Sequence, residues 1–345
     1  MFSSSHILLC LLTIKAQGFE PAVRFHRPPA DCQTIDYTFK SQGLRLAATL
    51  YRPAASAPVI VLVAGSNPGG RADDYLQTTA KTFAANGFAA LIFDKPGVGN
   101  SEGTYVEMPD LRKRALDVQA AVQSLYTVQG FKPQKIGLWG LSQGGWVLPL
   151  AANLEKKVSF IITASGPTVS PMEQDIFARS NELRRDGFSE QQIRIISDFS
   201  RRNTYYTSTG QGYDQLKKEE AAYEGQAWFE RAKNRIVPPL VPPKYLNHPR
   251  LAMFKDKNIL LYDPRPTLKH LKQPMLAVFG DQDNVVNAPE SIAVLKEIRK
   301  SDRIKVKILT FHGANHPMLV PGQMKFVDGY FDTILDWATA QAKAR

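Results

Sequence analysis

Ser142, in Gly140-Leu141-Ser142-Gln143-Gly144, is a residue that could carry covalent acyl chemistry. A serine hydroxyl is a weak nucleophile; it needs a neighbouring base, and the base needs an orienting acid. The run before it, Ile136 to Trp139, is apolar and has the length of a buried strand, while Trp146 to Leu154 is apolar and Ala/Leu-rich and suits a buried helix. A strand that turns sharply into a helix at G-x-S-x-G pushes the serine hydroxyl out above the sheet edge. Gly140 and Gly144 supply room for that turn. The Gln143 backbone N–H then lies at a helix N-terminus, where it can hold a developing oxyanion. A second match, Gly99-Asn100-Ser101-Glu102-Gly103, follows a strand-like run from Ala89 to Asp94 but leads into Pro- and Gly-rich polar sequence. Ser101 therefore reads as a loop residue.

Candidates for the acid and the base lie downstream, each just past the end of an apolar run. The acids are Asp281 and Asp283, in Phe279-Gly280-Asp281-Gln282-Asp283-Asn284-Val285-Val286. Asp283 is preferred, because Gly280 lets the strand turn and the added residues carry the carboxylate back over the sheet; Asp281 reads as a turn residue bonded to its own backbone. The bases are His312 and His316, in Phe311-His312-Gly313-Ala314-Asn315-His316-Pro317. His312 still belongs to the strand end, whereas His316 sits in the small-residue loop after it, so His316 is preferred. His6, His26, His248 and His270 fall in the N-terminal region or in the stretch that interrupts the pattern described next.

The elements that must position these residues follow in order. Asp36 to Lys40 and Leu44 to Tyr51 flank Ser41-Gln42-Gly43 and read as a hairpin. Pro58 to Ala64, Ala89 to Asp94 and Val158 to Ala164 are strands, the first a continuous apolar run typical of burial on both faces. Helices are expected over Asp74 to Asn86 and Pro109 to Tyr126. This alternation specifies the α/β class, with a mostly parallel central sheet and helices on both faces. From about 166 to 272 no strand is evident. Met172 to Gly187 and Glu190 to Thr204 look like charged amphipathic helices, the second opening with Ser189 and Gln192 in capping-box spacing. The two Val-Pro-Pro runs at 237–239 and 241–243 mark extended chain. An unordered stretch of that length is rare inside a domain, so residues 166–272 read as an inserted helical cap. The rhythm resumes with strands Met275 to Gly280 and Ile304 to Phe311, and helices Ala288 to Arg299 and Lys325 to Ala342. The expected division is therefore residues 19–165 with 273–345 as the core, interrupted by the cap.

The chain has 345 residues, 43% hydrophobic and 22% charged, ample for one large α/β domain with an insertion. Its net charge of +11 comes from Lys and Arg spread along the chain, with no basic run. The expectation is a solvated basic surface and no nucleic-acid partner. Ile7 to Ile14 is an apolar run too short to span a bilayer, followed by Ala16-Gln17-Gly18. Residues 1–18 thus read as a secretory signal peptide and the protein as secreted or periplasmic. Cys10 would leave with that segment and Cys32 would stay unpaired. Stable membrane insertion is not expected. No His-Glu-x-x-His, clustered His/Cys or dinucleotide fingerprint is present, so neither metal nor cofactor is expected.

The order Ser142, Asp283, His316, each following a strand, resembles that of the α/β-hydrolase fold. The similarity extends over roughly residues 36–165 and 273–340 and is strongest to bacterial esterases and acyl hydrolases of the dienelactone-hydrolase and serine-aminopeptidase-like branches. The resemblance implies hydrolysis of a small-molecule ester or acyl substrate through an acyl-enzyme, without a cofactor. It also implies a second oxyanion donor in the loop after the third strand, here the N–H of Ser66 in Gly65-Ser66-Asn67-Pro68. Relatives carry His-Gly here, or Gly-Ser-Gly-Pro followed by Asp-Arg. This chain has Ala64 before Gly65, Asn67 for the Gly and Gly70 for the Asp, while Arg71 matches. The stretch from Asp94 to Ser101 resembles the family's D-x-R-G-x-G-x-S turn, with Pro96 replacing the Arg, which fits Ser101 as a structural turn residue. Two other readings compete. One is a serine peptidase acting on short peptides, for which Glu219, Glu220 and Glu224 could receive a substrate amino group. The other is a non-catalytic binding protein of the same fold. Acyl and alcohol specificity and the oligomeric state are not encoded in these motifs.

Overall fold

A computed structural model describes residues 32–344 apart from 234, 236–238, 249–250, 252–258 and 302–303. The expected signal peptide, residues 1–18, lies outside the described residues. The chain divides into two compact units. One runs from Ser170 to Tyr262, and the other contains the described residues before Ser170 and after Tyr262. Residues 166–169 and 263–272, which the sequence pattern groups with the insertion, belong to the larger unit. A short helix, Arg265–Lys269, starts there at a Pro-Arg-Pro run.

The larger unit is built on an eight-stranded sheet. Its strands are β1 (Gln33–Ser41), β2 (Leu44–Arg52), β3 (Val59–Val63), β4 (Ala89–Phe93), β5 (Ile136–Leu141), β6 (Val158–Ala164), β7 (Met275–Gly280) and β8 (Val306–Phe311). They lie in the order β1-β2-β4-β3-β5-β6-β7-β8. The β1–β2 hairpin is antiparallel, β2 pairs antiparallel with β4, and every later pair is parallel. The hairpin, with both alternation and a Gly-containing turn, and the continuous Val/Ile/Leu runs of β3 and β4 are the patterns expected of an antiparallel edge on a buried parallel sheet. The fold class is α/β, and the fold is that of an α/β-hydrolase.

Both faces are covered. On one, Ile60, Leu62, Ala90, Ile92, Trp139, Ile162 and Leu276 join a core with α1 (Asp74–Ala85) and the C-terminal helix. Tyr330 anchors that helix by accepting a bond from Trp139 Nε1 at 3.2 Å, with both side chains fully buried. The alternate strand residues, such as Val61, Leu91, Leu138 and Ile161, are equally buried on the opposite face. There α2 (Leu111–Ser124) and α3 (Gly144–Leu154) pack on each other and on β3, β5 and β6. The C-terminal helix runs Tyr330–Lys343, not from Lys325. Lys325 and Phe326 are instead used in a return turn, where Val320 N–H donates to Lys325 O and Leu319 bridges Phe326, and Gly329 then caps the helix start at φ +77°.

The smaller unit has its own apolar core. α4 (Pro171–Arg185), α5 (Glu190–Thr209), α6 (Tyr213–Ala222) and α7 (Ala227–Lys233) supply Leu183, Ile193, Ile196, Phe199, Tyr206, Leu216 and Phe229 to it. Ser189 and Gln192 form the expected capping box at the start of α5. That helix extends beyond Thr204 to Thr209, where Gly210 ends it in the left-handed conformation. The charged helices α6 and α7 carry too little periodic apolar pattern to be read from sequence; Leu216 is the single buried residue of α6.

The turn from β5 into α3 is a tight junction. A Cβ added at Gly140 would collide with Leu148, and one at Gly145 would lie 2.5 Å from Gly166 C and 2.6 Å from Pro167 N. At Gly144 it would meet only Leu148, at an ordinary 3.4 Å. Gly145, not Gly144, is therefore the position where the close approach of α3 to the end of β6 excludes a side chain. Gly145→Ala is expected to destabilise the fold by about 1–3 kcal/mol, because the colliding atoms are backbone that cannot rotate away. Gly144→Ala should be neutral or stabilising. Urea unfolding followed by tryptophan fluorescence checks both, and equal midpoints for the two variants would refute the packing argument.

Candidate active site

Ser142 is the residue after β5 and has a left-handed backbone, φ +54°. Its N–H donates to Ala164 O at 2.9 Å, and its carbonyl accepts from Gly145 N–H at 2.8 Å. The turn is thus tied to the end of β6 on one side and to the first turn of α3 on the other. Ser101 stands in a different setting: its hydroxyl donates to Asp94 O at 2.8 Å and accepts from Ala47 N–H at 2.9 Å, which occupies it within the loop after β4.

The two acids and two bases sort into two pairs. Asp283 Oδ2 lies 2.9 Å from His316 Nδ1, and Asp281 Oδ2 lies 2.6 Å from His312 Nδ1. Burial separates them. The Asp283 and His316 side chains are 0% and 19% exposed, against 32% and 96% for Asp281 and His312. Asp283 Oδ1 also accepts the Val285 and Val286 amides at 2.8 and 2.9 Å. Burial pushes the Asp283 carboxyl upward, but the charge and hydrogen bond of His316 and the two amides outweigh it, leaving it below the ordinary carboxylate range. An ionised Asp283 makes His316 Nδ1 the donor and leaves Nε2 as the acceptor. The loops after β7 and β8 are also locked to each other: Gln282 N–H donates to Ala314 O at 2.9 Å, and a Cβ at Gly280 would collide with that same carbonyl.

The loop after β3 comes against the serine. A Cβ at Gly65 would stand 3.3 Å from Ser142 Cβ and 3.9 Å from its Oγ. Neither the Ser66 nor the Gln143 amide donates to another described residue. Gly70 has no room for the relatives' Asp, since a Cβ there would collide with Asp94 Oδ1. That oxygen instead accepts Arg71 N–H at 2.7 Å, and Arg71 Nε donates to Asp94 Oδ2 at 3.0 Å. The structure thus joins Asp283 to His316 and the Gly65–Ser66 loop to Ser142. No hydrogen bond links Ser142 Oγ to His316 among the described residues, and His316 Nδ1 is bonded to Asp283. Lys95 and Tyr105 were not singled out from sequence, yet both bond to this loop. Lys95 Nζ donates to Gly65 O and Asn67 O, and Tyr105 OH to Ser66 O. No metal-binding cluster of His, Cys, Asp or Glu is found among the described residues, and no described helix is long and apolar enough to cross a membrane.

The family model of X-Pro dipeptidyl-peptidase (S15 family) matches residues 42–317. The quorum-quenching protein AidA of Acinetobacter baumannii is 32% identical over 120 residues, 34% of this chain and 40% of AidA. The thiohydrolase aneE of Aspergillus aculeatus is 35% identical over 121 residues, 35% of this chain and 37% of its own. The matched stretch therefore spans two-fifths or less of either relative. In three dimensions the chain resembles an esterase of Pyrococcus furiosus with a TM-score of 0.57 at 13% identity, over 94% of this chain and 97% of the other.

Asp283→Asn is expected to fold normally and lose on the order of 10⁴ in turnover of p-nitrophenyl acetate, through the wrong imidazole tautomer. Asp281→Asn should be mild. A severe loss at Asp281 with an active Asp283 variant would reverse the assignment. The same lowered carboxyl has a stability consequence. Because its folded pKa lies below its unfolded value of about 3.9, its stabilisation is complete above that pH and disappears as pH falls through the folded pKa. The stability difference between the native chain and Asp283→Asn should shrink as the pH falls below about 4. A difference independent of pH down to acid unfolding would remove the linkage.

Proposed function

The chain belongs to the X-Pro dipeptidyl-peptidase (S15) family; from that premise we propose that it is a serine hydrolase that cleaves carboxylic esters through an acyl-enzyme formed on Ser142. In this reading His316 Nε2 takes the Ser142 proton as the hydroxyl attacks the carbonyl carbon, and Asp283 holds the imidazolium that forms. The tetrahedral oxyanion lies between the Ser66 and Gln143 amides. Its collapse expels the alcohol, which receives the proton from His316. Water, activated by the same imidazole, then attacks the acyl-enzyme and frees Ser142. The observation that carries the reading is the Asp283–His316 pair, buried and placed one strand-end loop after another from a left-handed serine.

A peptidase reading would need an acidic receptor for a substrate amino group. Two of the three glutamates considered for this are engaged inside the smaller unit, Glu219 with Arg202 at 2.7 Å and Glu220 with Lys217 and Lys233, while Glu224 is exposed. The charge of Glu219 and Glu220 is already answered by cations, which favours ester over peptide substrates. We further propose that the insertion acts as a cap limiting acyl length. Export is a separate proposal resting on the sequence of residues 1–18, and N-terminal sequencing of the mature protein tests it; an uncleaved start at Met1 would rule it out.

Ser142→Ala should lower turnover of p-nitrophenyl esters by on the order of 10⁶ and abolish fluorophosphonate labelling, while Ser101→Ala keeps most activity if it folds. A native chain that fails to label would overturn the enzymatic reading, and faster cleavage of dipeptide amides than of any ester would favour the peptidase. For the cap, a Gly/Ser linker in place of Ser170–Tyr262 should retain labelling and relax the chain-length profile across graded p-nitrophenyl esters. An unchanged profile in a folded, labelled variant would remove the cap from substrate selection.

A further inference from the structure

Lys95 is 4% exposed and is the second residue after the end of β4. Removing an ammonium from water is costly unless charged partners answer it. Here its hydrogen bonds go to Gly65 O and Asn67 O, and no carboxylate forms an ion pair with it among the described residues. Burial drives its pKa well below the ordinary lysine value, with Arg114 adding to that effect and Asp73 and Glu107 opposing it. A methionine or leucine of similar length would fill the same space without that cost. The position of this amine therefore needs a reason beyond packing.

The reason lies in the peptide it holds. A trans peptide is planar, so its carbonyl and N–H point to opposite sides. The carbonyl of Gly65 and the N–H of Ser66 belong to one such unit. Lys95 captures the carbonyl, which fixes the plane and turns the Ser66 N–H the other way. The next two carbonyls are captured as well, Ser66 O by Tyr105 OH and Asn67 O again by Lys95. Three successive carbonyls are thus held by one amine and one phenol, with the Gly65 position pressed against Ser142. The amine donor on Gly65 O also polarises the peptide and strengthens the Ser66 N–H as a donor.

The turn that presents the pair is itself rigid. Asp94 accepts Arg71 N–H and Asn100 N–H, at 2.7 and 3.2 Å. Ser101 ties Asp94 O to the β2 backbone at Ala47. Gly97, at φ +74°, folds so closely on Tyr105 N that a Cβ would collide. The ring of Tyr105 lies 5.9 Å from Lys95 Nζ. The second G-x-S-x-G match in the sequence is the scaffold of this turn.

We propose that Lys95, supported by Tyr105, is a positioning residue that aims the Ser66 amide at the oxyanion of the acyl-transfer transition state. The inference rests on the ester-hydrolase reading with Ser142 as nucleophile. Its test compares turnover of p-nitrophenyl acetate with that of the corresponding thionoacetate, whose larger, weaker-accepting sulfur is penalised by a well-aimed donor pair. Lys95→Met is expected to lose on the order of 10² in kcat, the scale of one oxyanion donor, with KM within a few-fold. The oxo-to-thiono rate ratio should collapse towards that of the uncatalysed reaction. A kcat retained within a few-fold, or a kcat loss with the ratio unchanged, would overturn the proposal. If Lys95→Met fails to fold, Tyr105→Phe decides. Loss of one hydroxyl should lower kcat about fivefold and reduce the ratio, and an unchanged kcat and ratio would overturn the proposal. Failure of the underlying reading is distinct, since the native chain and Ser142→Ala would then hydrolyse the oxoester equally slowly.

Discussion

A left-handed backbone at Ser142 is the constraint from which the site geometry follows. A non-glycine residue in that conformation costs about 1–3 kcal/mol and persists only where the surroundings over-determine it. Here the determination is visible on each side. Ala164 O at the end of β6 holds the Ser142 amide, Gly145 N–H holds its carbonyl, and the backbone of Gly166 presses on Gly145 so closely that no Cβ fits. Gly65 lies so near that a Cβ added there would stand 3.3 Å from the Ser142 Cβ. The loop that follows β3 is therefore a neighbour of the serine by necessity, because β3 pairs with β5 up to Gly140.

Electrostatics then separates residues that are chemically alike. Asp281 and Asp283 are two positions apart, both bonded to a histidine. Asp283 loses its water and gains two backbone amides, whereas Asp281 remains a third exposed and holds an imidazole that is almost wholly in solvent. An interaction that water screens is worth little, and the same interaction inside the fold can set a tautomer. The buried pair can therefore hold a fixed geometry that the exposed pair cannot.

How much of this was legible depended on whether the signal was local. The continuous β-branched run of β3, the Gly-Leu-Ser-Gln-Gly turn between an apolar strand and an apolar helix, and the Ser189/Gln192 cap are written in adjacent residues and could be read directly. Asp281 and Asp283 could only be ranked, because the discriminating contacts come from Val285 and Val286 amides and from depth of burial, neither of which is a residue pattern. The sequence places the need for glycine at Gly140 and Gly144; a Cβ collides at Gly140 and at Gly145 but not at Gly144, since the backbone at Gly166 that crowds Gly145 is distant in sequence. Helices α6 and α7 escaped notice because few of their residues are buried. Lys95 was invisible for a related reason. Its partners are main-chain carbonyls about thirty residues away, which every sequence possesses.

The pairing of β6 with β7 joins Ile161 to Met275 and Ala164 to Val278, so more than a hundred residues must be threaded out and back before these strands can meet. Loop-closure entropy rises only logarithmically with length, by about 0.6 kcal/mol per doubling, so the excursion weighs little on equilibrium stability. Its weight falls on the folding route, because long-range parallel pairing is slow. The Ser170–Tyr262 unit carries its own apolar core and so can gather its chain locally, shortening the effective tether between the two strands. An excursion that collapses on itself can be exchanged for another of different length and sequence at small thermodynamic penalty. That makes the β6–β7 connection the natural place for lineages of this architecture to diverge while the sheet stays the same.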